Sequence, residues 1–214
     1  MSDTSNSSVT ATASRQGDLF DALEPSIDAG FSTAKRIELD ETSWIEHAPG
    51  WVHASGTLLD ELTATAPWEQ RYRYMYGRRI AEPRLTAEYQ DIAAAPQHLL
   101  HVITDTLARH YAVAYRYLWL NLYRSHRDST SWHGDPIGKV QRTSTVPVLS
   151  LGATRRFLIR PAQGGKSMSL TVAAGDLIVM GGRSQLDWRH SVPKQATPAG
   201  PRISINFAPY LDLP

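Results

Sequence analysis

The chain has 214 residues, of which 42% are hydrophobic and 20% charged, enough for one domain with a full core. It has no apolar run of the ~18 residues needed to span a bilayer and no Cys, which excludes disulfides, thiolate catalysis and Cys-ligated zinc. The near-neutral total hides an asymmetry: residues 1–70 carry 12 acidic and 3 basic side chains, whereas residues 71–214 carry 9 and 19. A cationic face around a pocket in the second part would favour a polyanion, nucleic acid first. No charged-then-apolar leader pattern opens the chain, so a cytoplasmic monomer with no membrane partner is expected.

Residues 1–17 are rich in Ser, Thr, Asn and Ala without apolar periodicity, and a disordered tail is expected there. Residues 18–50, Asp-Leu-Phe and then short strand-like pieces ending in Ala-Pro-Gly-Trp, read as an irregular wrap over a core. A helix is predicted over about 55–66, with Ser55 as its N-cap and Leu58, Leu59 and Leu62 on one face. Residues 71–89 follow as a hairpin, in which Arg71-Tyr-Arg-Tyr-Met-Tyr-Gly-Arg-Arg79 alternates cations and aromatics. Bases stack on aromatics while Arg contacts phosphates. Arg78, Arg79 and Arg84 flank a Gly turn expected to be exposed; an amphipathic strand with Tyr72, Tyr74 and Tyr76 packed one way is the bland alternative.

A second helix is predicted from Pro96, a favoured first-turn residue, to about Tyr111, with Leu99, Ile103 and Leu107 as its buried stripe. From residue 113 the texture changes to short strands, at 115–123, 143–151, 155–160, 167–172, 176–180, 187–192 and 202–208, separated by Gly and Pro turns. Strands at this spacing indicate a sandwich or jelly roll. Helices first and strands second make the fold class α+β, with 18–112 an N-terminal extension of the 113–214 core within one structural domain.

The chemistry-bearing residues concentrate in that core. His133 and Asp135 are two apart, so they share a side-chain direction if the backbone is extended. His190 follows far downstream at a strand end. Two imidazoles and one carboxylate with open positions opposite are the ligand set of a non-haem Fe(II) oxygenase. Arg202, on the last strand, is suited to gripping the far carboxylate of a 2-oxo acid in a bidentate fork. The His-x-Asp pair alone is usually a surface hydrogen bond; the distal His and the strand Arg reverse that preference. His126 is a weaker ligand alternative, and His98, His101 and His110 on the second helix do not form a metal face with a carboxylate. Trp132 either shields the metal or simply packs. Trp68, Trp119 and Trp188 read as core or pocket wall, and Gly175-Asp176 as a turn.

With these pieces in order, residues 44–209 resemble the AlkB-type Fe(II)/2-oxoglutarate dioxygenases. The carriers are Asn121-x-Tyr123, His133-Gly-Asp135, Val148-Leu-Ser-Leu-Gly-Ala-Thr-Arg-Arg-Phe157, Gly175-Asp-Leu-Ile-Val-Met-Gly-Gly182, Trp188-x-His190-x-Val-Pro-Lys194 and Pro201-Arg-Ile-Ser-Ile-Asn-Phe207. The resemblance implies a double-stranded β-helix (jelly roll) with N-terminal helices and a nucleotide-recognition lid. It implies Fe(II) on His133, Asp135 and His190, 2-oxoglutarate held by Arg202 with help from Asn121 and Tyr123, and O2 as co-substrate. Its activity would be oxidative removal of N-alkyl groups from bases in DNA or RNA. Tyr76 would brace the gap left by a flipped base, with Arg78, Arg79 and Arg84 on the phosphates. Other readings are a dioxygenase acting on tRNA or protein and a catalytically weak nucleic-acid-binding homologue. The chain departs from the family at Ala208, where a second Arg is common, so either Arg202 suffices or Arg124, Arg127 or Arg183 compensates. It departs also at Ser204, where Asn is common, and in a shortened stretch from Tyr89 to Pro96 that leaves the base-stacking partner open.

Overall fold

The computed structural model describes residues 24–75 and 77–209; the tail expected over 1–17 and the hairpin residue Tyr76 lie outside them. Among the described residues the chain runs β1 (Ser26–Ile27), β2 (Lys35–Glu38), β3 (Ser43–Ala48), β4 (Val52–His53), α1 (Gly56–Thr65), β5 (Tyr72–Met75), β6 (Arg78–Ala81), β7 (Leu85–Tyr89), α2 (His98–Tyr111), β8 (Tyr117–Tyr123), β9 (Thr130–His133), α3 (Ile137–Val140), β10 (Ser144–Gly152), β11 (Arg155–Pro161), β12 (Met168–Val172), β13 (Leu177–Gly182), α4 (Ser184–Asp187), β14 (Trp188–Val192) and β15 (Arg202–Ala208). The larger sheet has the order β2-β3-β13-β10-β15-β8-β7 and the smaller β12-β11-β14-β9, while β5 and β6 form a separate hairpin.

Period-two alternation divides each central strand between two environments. In β15, Ile203, Ile205 and Phe207 join the core under the helices, with Leu118 and Leu120 of β8, Leu149 and Leu151 of β10, Leu58 and Leu62 of α1, and Leu100, Ile103 and Leu107 of α2. The opposite face of the large sheet looks towards the small one. Val146, Val148, Ile178 and Met180 meet Phe157, Ile159, Val172 and Val192 there in a second core. Two antiparallel sheets packed face to face, with helices on the outside of one, are the jelly roll of the expected α+β class.

The strands predicted from residue 113 onward are found within two residues of their expected bounds. Within the described residues 24–50, strand-like pieces become regular strands: β2 and β3 extend the large sheet, β3 pairing with β13 from Leu177–Ala48 to Gly182–Ser43. Ser55 occupies the N-cap of α1 but makes no side-chain capping bond. The second helix starts at His98 with Gln97 as N-cap, just past Pro96, and buries Leu100 more deeply than Leu99. No helix among the described residues is long and apolar enough to cross a membrane.

Candidate active site

The inward residues of the large sheet that are not apolar gather at one end of the space between the sheets. Alternation sends Arg202, Ser204, Asn206 and Ala208 of β15, and Tyr117, Trp119, Asn121 and Tyr123 of β8, into a cavity of about 670 Å³. Register locks them into rows: Arg202 lies opposite Tyr123, Ser204 opposite Asn121 and Asn206 opposite Trp119. The small sheet closes the cavity with His133 and His190, which are cross-strand partners on β9 and β14.

His133, Asp135 and His190 converge there, each offering a ligand atom within 4.8 Å of the others. Asp135 Oδ1 is 3.5 Å from His133 Nε2 and 3.6 Å from His190 Nε2. The extended-strand premise holds only to His133: Asp135 stands two residues past the end of β9, just before α3. Its position is set instead by its backbone N–H, which donates to Gln185 Oε1 at 2.8 Å. Gly134, between the two, has no room for a side chain, since a Cβ there would lie 2.4 Å from the Gln185 carbonyl oxygen. His133 Nδ1 lies 2.9 Å from the Ser131 carbonyl. As the donor there it leaves Nε2 free to act as a ligand, the usual second-layer arrangement of metal-binding histidines. The His190 ring lies nearly parallel to Phe157, at 5.4 Å and 17°.

The electrostatics suit a cation. Burial alone would raise the Asp135 carboxyl, but the adjacent His190 and His133 rings outweigh it and hold the group well below the usual carboxylate range. Burial first, and then His133, push His190 below the ordinary imidazole value. An ionised carboxylate beside a neutral imidazole is the protonation state that a divalent metal needs. Asp135 Oδ2 is buried without a hydrogen-bond partner, a costly condition that a ligand would relieve. The donor set therefore fits Fe(II).

Arg202 carries a second unmet demand. It is 2% exposed, its Nε donates to Ser150 Oγ at 2.9 Å, and its Nη1 is buried with no partner. The guanidinium carbon stands 5.0 Å from the Tyr123 ring, and no carboxylate pairs with it among the described residues. A buried cation in that state calls for an anionic ligand. Tyr123 Oη is 2.8 Å from Thr130 Oγ1, and Asn121 Nδ2 donates to Ser204 Oγ at 3.2 Å.

Several sequence expectations change. Arg84 is not an exposed hairpin cation: its side chain is 11% exposed, paired with Glu82 and donating to Asn121 Oδ1 at 2.9 Å inside the cavity wall. Arg78 and Arg79 are exposed, and Arg79 lies over Tyr72 at 3.9 Å. The all-packed alternative for the tyrosines fails at Tyr72 and Tyr74, which are 49% and 81% exposed. Arg124 pairs with Asp128 and Arg183 with Asp187. Neither they nor Arg127 line the cavity, whereas Arg71 and Arg84 do. Trp132 stacks under Arg160 at 4.2 Å. His101 is bonded to the Ala95 carbonyl and His110 is stacked on Phe31, so both serve structure. The sequence patterns do not single out Gln185, Phe157, Glu88 or the buried Arg155, which donates to the carbonyls of Ser125, Asp128 and Pro193. Alternation along β11 could have pointed to Phe157 and to Arg155, which share its buried face; nothing local marks Gln185 or Glu88.

Comparison with known proteins agrees with this geometry. Residues 65–207 match the model of the 2OG-Fe(II) oxygenase superfamily. The chain belongs to that superfamily. The superfamily is named for Fe(II) and 2-oxoglutarate, and the His133–Asp135–His190 cluster fits the metal. Among curated proteins the similarity is to AlkB-type members. The human alpha-ketoglutarate-dependent dioxygenase alkB homolog 3 is 30% identical over 181 residues, 74% of this chain and 63% of the relative. The DNA oxidative demethylase ALKBH2 of Arabidopsis thaliana is 27% identical over 231 aligned positions, covering 87% of this chain and 72% of that protein. The chain thus spans just under two thirds of the length of the AlkB homolog 3 sequences. The solved structure of OsALKBH1 superposes with a TM-score of 0.58 over 82% of this chain and all of that one, at 13% identity, a likeness of fold.

Proposed function

We propose that this protein removes N-alkyl groups from bases in DNA or RNA by Fe(II)- and 2-oxoglutarate-dependent oxidation. The observation that carries the reading is the pairing, within one cavity, of a His133–Asp135–His190 cluster with a buried Arg202 that lacks an anionic partner among the described residues. The AlkB-type relatives, named as dioxygenases and DNA oxidative demethylases, and the cationic second part of the chain support the substrate class.

In this reading His133, Asp135 and His190 hold the metal, and Arg202 grips the distal carboxylate of 2-oxoglutarate. Bound iron supplies the activation of O2 that, coupled to decarboxylation of the co-substrate, oxidises an alkyl carbon next to nitrogen. The protein's part is positional. Ser131 fixes the His133 tautomer, Gln185 sets Asp135, and Ser150 aims Arg202. Asn121 and Tyr123 offer remaining hydrogen-bonding capacity along the co-substrate's path. The exposed hairpin, with Tyr72, Tyr74, Arg78 and Arg79, is the natural nucleic-acid contact beside the mouth. Ala208 leaves the position of a second Arg vacant on β15, and Arg202 serves alone.

The test is a mass-spectrometric screen of methylated DNA and RNA oligonucleotides with Fe(II), 2-oxoglutarate and ascorbate. Demethylated product with stoichiometric succinate is expected. Succinate formation without any oligonucleotide product would redirect the search to protein or other amine substrates, and absence of both would leave a binding module.

A further inference from the structure

On β15 Arg202 serves alone, but a second buried guanidinium shares its aromatic neighbour. Arg155 of β11 is 1% exposed, and alternation turns it to the buried side of the strand with Phe157. Its Nη1 donates to the Ser125 carbonyl at 3.2 Å, and its Nη2 to those of Asp128 and Pro193, each at 2.7 Å. Ser125 and Asp128 lie in the connection from β8 to β9, and Pro193 directly follows β14. Arg155 thus ties together the ends of the strands that carry Tyr123, His133 and His190. Its Nε is buried without a partner.

Arg155 is also a charge that the fold leaves standing. Its guanidinium carbon lies 5.3 Å from the centre of the Tyr123 ring, and that of Arg202 lies 5.0 Å from the same point. The two cations are therefore within about 10 Å of each other, a range over which buried charges interact with little screening. Burial foremost, and Arg155 with it, pushes the Arg202 guanidinium below its usual value, against the opposing effect of Tyr123. The nearby Asp128 carboxylate is taken by Arg124, through Nε at 2.8 Å and Nη2 at 3.1 Å. Arg124, Asp128 and Arg155 together keep one net positive charge. Arg155 is the buried cation of the three, since the Arg124 side chain is 48% exposed. The carbonyl dipoles around Arg155 solvate its charge without neutralising it.

We propose that Arg155 is a positioning residue for the co-substrate: it adds a second positive charge to the Tyr123 end of the cavity, so that this end selects a 2-oxo acid with a distal carboxylate over one without. The inference rests on the reading in which Arg202 grips that carboxylate. Arg155 does not line the cavity, so its charge acts at a distance while its hydrogen bonds hold the strand ends in place. A dicarboxylate relieves the mutual repulsion of two buried cations, whereas a neutral tail leaves both uncompensated. A single Arg on β15 then suffices, because β11 supplies the second charge.

The test is calorimetric binding of 2-oxoglutarate and of 2-oxopentanoate, which has a methyl group in place of the distal carboxylate, with Mn(II) in place of Fe(II). The wild-type protein should prefer 2-oxoglutarate. Arg155→Gln removes the charge and keeps two N–H donors for the carbonyls. It should weaken 2-oxoglutarate ~10-fold, the order for a unit charge at this range in a partly shielded site, and leave 2-oxopentanoate within about 2-fold. Arg155→Lys, whose ammonium has three donors for the three carbonyls, should restore most of the preference. A purely structural latch would weaken both acids together. That result, or an unchanged preference in Arg155→Gln, overturns this inference alone. Arg202→Met gives a check that does not depend on the folding of an Arg155 variant. With Arg155 in place it should still favour 2-oxoglutarate several-fold, and complete loss of preference there overturns the inference as well. A wild type that does not discriminate between the two acids overturns the placing of the distal carboxylate at Arg202, and this inference with it.

Discussion

His133 and His190 are cross-strand partners at the edge of the small sheet, their rings 4.2 Å apart. Register thus brings together two residues separated by more than a quarter of the chain. One strand slip would turn one of them away from the cavity, because side chains alternate between faces. The pairing of β9 with β14 is therefore part of the site, and it carries an irregularity between His190 and Val192, beyond which Val192 pairs with Thr130.

His133→Ala should remove one ligand and leave the fold standing, since the side chain is 36% exposed and contributes little to the core. Mn(II) affinity, followed calorimetrically or by paramagnetic relaxation, should fall by two or more powers of ten with no loss in the apo-protein's melting temperature. Retained affinity would move the metal elsewhere.

The protonation states give a pH window. His190 is held below its ordinary value and Asp135 well below its own, so both already stand in the metal-binding form at neutral pH. Metal affinity should be nearly flat from pH 8 down to about 6.5, the ordinary imidazole value, and fall only below it as His190 takes up a proton. A steep decline already between pH 8 and 7 would show that another group controls binding.

Arg202 separates function from stability. Arg202→Lys should raise the 2-oxoglutarate requirement by one to two powers of ten, because a point charge does not replace a bidentate fork. Arg202→Met should do so more severely. Without co-substrate, however, the Met variant should unfold at the same or higher denaturant, because it removes a buried cation that has no anionic partner. Marked destabilisation of apo Arg202→Met would show that the guanidinium is a structural pin.

The legibility of the site in the sequence depends on how far each side chain's direction is set locally. Alternation along 115–123 is local, so the sequence alone places Asn121 and Tyr123 on one face; that Arg202 shares it follows from the register of β15 with β8. The His133–His190 pairing depends on β9 (Thr130–His133), a short strand that the sequence pattern does not mark. Arg84 misleads because a residue just after a hairpin can turn either way, and the choice is made by Glu82 and Asn121, neither of them a feature of the hairpin's pattern. Glu88 is one polar residue among many on a strand whose pattern signals only a hairpin; its place in the cavity wall is set by pairing with Trp119 across the sheet. Gln185 and Arg155 are buried polar residues whose partners are backbone groups from distant segments, and no periodicity records such contacts. The strands β2 and β3 show in the sequence only as short strand-like pieces, because turn residues interrupt them closely, and their place in the large sheet is set by pairing with β13.

Asp176, a turn residue by its sequence, is a clamp. Its carboxylate accepts from the backbone N–H groups of Gly50 at 2.8 Å and Ala173 at 2.9 Å, and lies 3.0 Å from His47 Nε2. It thereby ties β3 to the turn before β13. Burial opposes its charge, but these partners outweigh burial and lower its carboxyl. Asp176→Ala should cost about 2–4 kcal/mol, the order for buried donors left unpaired. A depressed folded value stabilises above the unfolded carboxylate value near ~3.9 and loses that contribution as pH falls through the folded one. The gap between wild type and variant in urea denaturation should therefore be constant from pH 5 to 8 and shrink below about 4. A gap that persists undiminished at pH 2.5 would mean that packing, rather than charge, sets it.

The β5–β6 hairpin offers side chains that the fold does not need. Arg78 and Arg79 are exposed and Tyr74 is 81% exposed, so none of the three stabilises the fold appreciably and each is available to a ligand. If the two Arg side chains neutralise phosphates, each contact on a single strand releases counterions worth ~0.7 in the slope of log affinity against log salt. The double variant Arg78→Ala/Arg79→Ala should flatten that slope by up to ~1.4 and weaken binding about equally across sequences. Tyr74→Ala should leave the slope unchanged and lower affinity at every salt concentration by roughly 1–3 kcal/mol if one base stacks on it. Melting temperatures of both variants should match the wild type. Anisotropy titrations of a fluorescent single strand at four or five salt concentrations separate the two effects. An unaltered slope in the double variant, together with unaltered affinity in Tyr74→Ala, would show that the hairpin faces solvent and that the strand is held elsewhere.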